Sequence, residues 1–546
     1  MLRGDGLFGY ILPNKFFKTD YGESLRSMLS EQRAVRGVVD FGSEQVFAAT
    51  TYTCLLFLTK KPSHRLRYAE SKADERALNE ATFSTFEAGD LGSDVWLFSS
   101  PVNTVITAKL QKNSKRLLDL PTEISRGSSS GDDEVFMIDA NDSQIEREIL
   151  RQPIFATDFK RYAFAPSRRW RIVFPYVRDK EGFRLYTEAE LESKFPNAYA
   201  HLVSNKLRLI KRKQFSEWYS FSAPRNLEVH DRSQILIPLL ANHGVFAPVP
   251  EELHGTLCPM ASGGFTVTIS NTCSLHPNFV LGLLNSRLLF WKLRESSNIF
   301  RGGWITCTKQ YFGELPIRTV DLEAPSEKQL YDRIVALVGE VTMCHSQLLK
   351  FSPMLSQKIH HEHRTPCSLG HYLQKDYAGA VTAETLICDV MRKGFLHKID
   401  IESDNATLLL SAHVSTKARD EPEIIPILRL RFAHAPLRQF VYACWQQFVT
   451  ENARRKRWTT GSKPEEIYRR VVNTEEPLVF FHANAADNLR AITSLLESVA
   501  AEAGVSDLAA LEAEIKTTDE KIDKLVYELY ELTPEEIAVV ESERNR

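Results

Sequence analysis

Two stretches of the chain combine cations with aromatic rings at spacings that suit a polyanion. In the first, Lys160, Arg161, Arg168, Arg169 and Arg171 surround Tyr162 and Trp170. In the second, Lys206, Arg208, Lys211, Arg212 and Lys213 precede Phe215, Trp218 and Tyr219. Lysine and arginine neutralise phosphates and set register on a duplex, and arginine also pairs bidentately with base edges in the major groove. The residues alone leave a plainer reading open: Leu202, Leu207 and Leu209 would anchor an amphipathic helix whose charges form a solvated face. A third cluster, His360, His361, His363, Cys367 and His371, has metal-ligand side chains but lacks a second ligand pair at finger spacing, so no metal site is expected there.

The stretch from Gly6 to Lys60 reads as strand, helix, strand, strand. GYIL and VRGVVDF are short, continuous apolar runs of the kind that form buried strands of an α/β sheet. The helix between them runs from Tyr21 to Ser30, with Thr19 or Asp20 as its cap, and TYTCLLFL closes the set. From Lys60 to Glu80 the chain is expected to leave the sheet. Between Thr82 and Leu120 a small connector is expected, with strands at DVWLFSS and NTVITAKL and a helix through Lys109 to Leu118. RGSSSGDDE, Arg126 to Glu134, reads as a flexible polar loop near a boundary.

Farther along, GLLNSRLLFW, Gly282 to Trp291, reads as one packed helix with Asn285 and Ser286 inside the fold. A long helix follows Pro316, with Ser326 and Gln329 as a capping-box pair. FLHKIDIES, NATLLLSAHV and IPILRLRF form strands, Leu437 to Asn452 a helix, and ENARRKRW its basic end. Near the C-terminus Leu525, Val526 and Leu529 share one helical face, and Thr533-Pro534-Glu535-Glu536 opens another helix.

At 546 residues the chain exceeds what one core usually serves, roughly 250 to 300 residues, so several domains are expected. Boundaries are placed at 1–60, 61–145, 146–320 and 321–546. A formal charge of -2 excludes a whole-molecule polyanion attractor, so any nucleic-acid surface must be a local patch. The eight cysteines contain no CxxC pair and read as reduced thiols. No apolar run approaches the roughly 18 to 20 residues of a membrane span, and a soluble cytoplasmic protein is expected.

A family resemblance is carried by ordered motifs. GYILPNKFF with DYGESLR, then VVDFG and QVFAATTYTCLLFL, are similar to the end of the methyltransferase domain in gamma-class adenine-N6 DNA methyltransferases of the type IIG restriction-modification kind. QPIFATDFKRYAF, WRIVFPYV, KFPNAYAHLVSNKLRLIKRKQFSEWYSFSAPRNL, FVLGLLNSRLLFW and KQYFGELPI resemble, in this order, the TaqI-like C-terminal specificity region of those enzymes, over about Arg151 to Ile317. IDKLVYELYELTPEEIAVVE is similar to their C-terminal end.

The resemblance implies an α/β fold class in which a truncated Rossmann-like sheet precedes an α+β target-recognition region and a mixed, helix-rich C-terminal region. It implies that Phe47 stacks on a base rotated out of the duplex. Under it, Lys160, Arg161, Arg168, Arg169, Lys206, Lys211, Arg212, Lys213 and the Arg225 of SAPRNL become DNA contacts. The family's Gly-rich cofactor loop and Asn-Pro-Pro-aromatic catalytic loop precede the matched stretch, and neither occurs in this chain. S-adenosylmethionine is therefore expected in the complete enzyme. Double-stranded DNA and a separate polypeptide carrying the catalytic half are the implied partners. The alternative is a non-catalytic specificity or interaction subunit acting with a separate methyltransferase or nuclease. No Asp…Glu-x-Lys cluster stands in a credible strand context, so no nuclease is assigned.

Overall fold

The structure is a computed structural model. It describes residues 3–542 except 5, 43–45, 48–50, 72–74, 97, 99–100, 141–143, 156–157, 167–169, 300–303, 362–364, 378, 387–393, 405–406, 416–422, 456–460, 463–470, 474–477 and 506–507. The fold is mixed α/β, in two compact units. One comprises Met1–Val46, Tyr52–Thr342 and Thr517–Arg546, and the other Phe47–Thr51 and Met343–Lys516.

The first unit begins with β1 (Leu7–Pro13), α1 (Glu23–Glu31), β2 (Val35–Asp40), β3 (Thr53–Thr59), β4 (Arg65–Glu70) and β5 (Ser84–Glu87). The sheet order is β1-β3-β2-β4-β5. β2 and β4 run parallel, and the other neighbours run antiparallel. The expectation that the chain leaves the sheet after Lys60 is overturned. RLRYAE alternates its chemistry, so Leu66 and Tyr68 enter the core beside Val38, Cys54 and Leu56 while Arg65 and Arg67 point outward. α1 starts after a short 3-10 turn at Asp20–Gly22. Gly22 is required there, because a Cβ would stand 2.2 Å from the carbonyl oxygen of Phe16. The buried Arg26 guanidinium fills the same corner, donating to the carbonyls of Phe16 (2.6 Å), Thr19 (2.8 Å) and Ser93 (2.9 Å).

NTVITAKL forms no strand; it lies in the helix Pro101–Gln111, and the expected helix through Leu118 gives way to a strand at Ser114–Arg116. The polar loop expected to be flexible is instead built into the fold. Ser128 and Ser130 are buried, Ser128 N donates to Pro259 O at 2.7 Å, and Ser129 bridges to Ala223. Small hydroxyl side chains meet buried backbone here, which composition alone reads as solvated.

Two four-stranded sheets organise the region beyond. One orders Leu257–Pro259, Leu150–Ile154, Trp170–Val173 and Met137–Asp139; the other orders Ala247–Pro248, Ile235–Ile237, Phe265–Ile269 and Thr122–Arg126. The expected connector, 61–145, thus supplies an edge strand to each. α2 (Pro196–Ser204) and α3 (Lys206–Leu209) cover the first sheet through Ala198, Leu202 and Leu209, which pack with Phe136, Ile172 and Phe221. GLLNSRLLFW is not one helix. α4 (Pro277–Asn285) stops at Ser286, whose Oγ accepts from Leu289 N and caps α5 (Arg287–Ser296). The buried Asn285 amide donates to Phe246 O and its Oδ1 accepts from Phe246 N, both at 2.9 Å, the structural role expected of it.

α6 (Pro325–His361) presents Ile334 and Val338 to Gly282 of α4. α7 (Leu508–Leu529) and α8 (Pro534–Ser542) complete the C-terminal part, with the Thr533–Glu536 capping box formed as the sequence indicates.

The second unit holds a sheet ordered Val381–Thr385, Glu423–Phe432, Thr407–Ser415, Gly394–Asp404 and Gly461–Ser462, all antiparallel. The helices Ala435–Arg455 and Ala485–Glu502 cover it over a core that includes Leu396, Leu410, Leu428, Trp445 and Leu496. Among the described residues no helix is long and apolar enough to cross a membrane, and no group of three metal-ligating side chains converges. His363 of the histidine cluster lies outside the described residues, as do residues 456–458 of the basic ENARRKRW end.

Candidate nucleic-acid interface

The nine cations singled out by sequence fall into three groups. Arg168 and Arg169 lie outside the described residues. Arg161 and Arg212 are internal. Arg161 makes a two-pronged ion pair with Asp519 of α7, at 2.6 to 2.9 Å, and donates to the carbonyls of Gly244 (3.1 Å) and Asn285 (2.5 Å). Arg212 donates to four carbonyls, those of Leu209 (3.0 Å), Ser130 (2.6 Å), Ser220 (2.7 Å) and Trp218 (2.6 Å). Guanidinium groups so engaged hold elements together and are not available to phosphates.

The remaining five are more open. Lys206 sits 4.4 Å from the ring centroid of Trp218 and 3.8 Å from Glu188. Lys211 and Lys213 are exposed, and no ion pair joins either to another described residue. Arg225 is exposed, reaches Gly127 O at 3.3 Å, and precedes Asn226, which takes a left-handed conformation. Lys160 is half-buried in the two-residue strand Phe159–Lys160. Lys206 opens α3, and Lys211 and Lys213 follow its C-terminal end. The amphipathic-helix reading holds for Leu202 and Leu209, which are buried, and fails for Leu207, which is exposed.

Phe47 lies between β2 and β3 in the chain, at a bend, with 49% of its surface exposed.

Sequence reading missed a polar cluster at the C-terminal ends of the parallel strands β2 and β4, the edge at which α/β sheets bind ligands. Asp40 and Glu70 are register partners there. Asn14 Nδ2 donates to Asp40 Oδ1 at 2.8 Å, Gly42 N donates to the same oxygen at 2.9 Å, and the Tyr68 hydroxyl lies 3.2 Å from Glu70. Burial pushes the Asp40 carboxyl above its usual range, against the opposing effect of the Asn14 hydrogen bond. Lys18, lowered by burial, donates to the carbonyl of Glu295 at the end of α5 (2.5 Å). The signal in the sequence was an aspartate ending an apolar strand and an asparagine ending GYILPN.

A second buried charge cluster secures α7. Arg287 Nε lies 3.1 Å from Asp523 Oδ2, and Arg287 Nη1 donates to Glu541 of α8 at 2.9 Å. Burial pushes Asp523 up to about 6, against the pull of Arg161 and Arg287.

Comparison with known proteins gives these positions a context. Residues 1–47 match the model of the Eco57I restriction-modification methylase family. The chain is 26% identical over 389 residues to the type II restriction enzyme and methyltransferase RM.Eco57I of Escherichia coli, covering 64% of this chain and 38% of that protein. It is 21% identical over 386 residues to the type II methyltransferase M.BstVI of Geobacillus stearothermophilus, covering 64% of this chain and 67% of that one. The chain is similar to restriction-modification methyltransferases. It spans well under half the length of RM.Eco57I. Among solved structures, the type IIL restriction-modification enzyme MmeI in complex with DNA is similar at a TM-score of 0.40 and 12% identity, over 63% of this chain and 42% of that one.

Proposed function

We propose that the chain is the DNA-recognition part of a site-specific adenine-N6 DNA methyltransferase of a restriction-modification or phage-defence system. In this reading the region around residues 146–320 is a TaqI-like recognition region. Lys160, Lys206, Lys211, Lys213 and Arg225 contact phosphates, and Phe47 stacks on the flipped adenine. Arg161 and Arg212 hold the recognition scaffold.

Methyl transfer is assigned to an assembly. S-adenosylmethionine supplies the methyl group in such enzymes, but this chain has neither a Gly-rich loop following an apolar strand nor an Asn-Pro-Pro-aromatic sequence to hold it and the target amine. The residues present do not fit the cofactor. In this reading, residues outside the stretch described, carrying those loops, complete the enzyme.

The observation that carries this reading is β1, inside the stretch that matches the methylase family. Leu7, Phe8 and Tyr10 are all exposed, and β3 is its one paired neighbour among the described residues. Side chains on both faces of the strand meet solvent, together with an open hydrogen-bonding edge, and such an edge can pair with a further strand. The test is DNA methylation by the purified chain with and without the polypeptide encoded upstream. Activity is expected only with both; full activity from the chain alone overturns the proposal.

A further inference from the structure

The corner formed by α2 and α3 displays aliphatic side chains where a solvated turn would carry polar ones. Val203, Leu207 and Ile210 are exposed, Leu207 by 77%, the most of any exposed large hydrophobic residue described. Leu207 and Ile210 stand three residues apart on one helical turn, where Leu209 N donates to Asn205 O (3.0 Å) and Ile210 N to Lys206 O (3.0 Å), and Val203 precedes the turn at Asn205. The opposite side of the corner is fixed by Leu202 and Leu209 in the core. The aliphatic stripe is therefore held outward by packing.

Its charged surroundings indicate what covers it. Arg208 neutralises the nearby acids, pairing with Asp132 (2.5 and 2.8 Å) and Glu134 (2.8 Å). Lys211 and Lys213, immediately after the stripe, are exposed and unneutralised among the described residues. Exposed aliphatic side chains with uncompensated lysines at their flank complement a groove whose walls are anionic and whose floor offers methyl groups among hydrogen-bonding base edges. The major groove of duplex DNA is that surface: it admits a helix, its walls are phosphates, and thymine places a methyl group on its floor.

We infer that Leu207 is a specificity-determining residue that contacts a thymine methyl in the major groove, with Lys211 and Lys213 on the flanking phosphates. The inference rests on the DNA-recognition reading above and adds to it a named base and a named side chain. The contact is non-covalent and excludes water from one methyl group, an effect of about fourfold in affinity.

The full chain, wild type and Leu207→Ser, is used to select bound sequences from a randomised duplex pool, and deoxyuridine is then placed at each selected thymine. Wild type is expected to lose about fourfold at one thymine or more. Leu207→Ser is expected to lose that discrimination alone, keeping the rest of its consensus and its melting temperature. A uracil penalty unchanged in Leu207→Ser, or absent from wild type, overturns the inference and leaves the DNA-recognition reading standing. If neither protein selects a sequence and Lys211→Ala/Lys213→Ala has no effect on DNA affinity, both readings fall. A change confined to the oligomeric state of Leu207→Ser marks the stripe as a protein interface and also overturns it.

Discussion

Arg161 and the pair Lys211 and Lys213 carry the same charge in similar sequence settings but stand in different surroundings, one internal and the other two exposed, which makes them separable by experiment. Arg161→Ala strands Asp519 and two backbone carbonyls in a half-buried site, a loss of about 3 to 5 kcal/mol in stability when one partner of a buried pair is removed. Lys211→Ala/Lys213→Ala leaves stability within about 0.5 kcal/mol, as for other surface changes. It should lower the magnitude of the slope of log affinity against log salt by about 1 per lysine. Thermal melts and DNA titrations across salt check both; a stable Arg161→Ala chain with a reduced salt slope would reverse the assignment. The partner of Arg161 stands 358 positions away in sequence, so no local pattern distinguishes an internal cation from a phosphate contact. Arg212 was hidden for a different reason: its acceptors are backbone carbonyls, which no side-chain pattern reveals.

His230 sets a pH response at the same scale. It is buried, its Nδ1 lies 3.1 Å from Thr266 Oγ1, and burial pushes it down to about 4 from the usual 6.5. Between those values the unfolded chain binds a proton that the folded chain refuses. Stability from this group is therefore intact above about pH 6.5 and is lost as pH falls toward 4. Asp523 acts in the opposite direction: the folded state binds its proton more readily, so its contribution declines as pH rises from 3.8 to about 6. A His230→Gln chain should show a shallower fall in melting temperature between pH 6.5 and 4 than wild type. An unchanged acid limb would assign that limb to other groups.

At the level of elements, apolar periodicity made α1, β2, β3, α6 and the strands near residues 394–432 legible, because each buries a face that the pattern marks; GYIL forms the expected strand β1, but as an exposed edge and not a buried one. The misreadings share a cause. RLRYAE carries three charges in six residues yet buries Leu66, Tyr68 and Ala69, and the break at Ser286 depends on a hydroxyl cap inside an otherwise continuous apolar run. Tertiary packing also fixes where small residues are mandatory. At Gly282 a Cβ would lie 2.8 Å from Val338 Cγ2 and 3.1 Å from Ile334 Cγ2, so α4 and α6 approach through that glycine. Gly282→Val should force the helices apart and cost about 1 to 3 kcal/mol, the usual range for overpacking. Chemical denaturation reads the loss, and a variant as stable as wild type would show that the contact is loose.

For the whole molecule, the decisive question is what β1 meets. A strand with Leu7, Phe8 and Tyr10 exposed is a liability in isolation, because open apolar edges template association with other chains. Phe8→Lys/Tyr10→Lys should therefore reduce self-association of the purified chain in light scattering without lowering its melting temperature, since neither side chain is part of the core. Under the proposed function, the same change should abolish the methylation expected on adding the upstream polypeptide, because lysines on alternate positions of one face oppose burial of that face. DNA binding, proposed for cations at least 150 positions away in sequence from Tyr10, should persist. Loss of methylation with retained DNA binding would locate the assembly surface on β1. Full methylation by Phe8→Lys/Tyr10→Lys with the upstream polypeptide would instead require the catalytic part to dock elsewhere and leave β1 without a role in assembly.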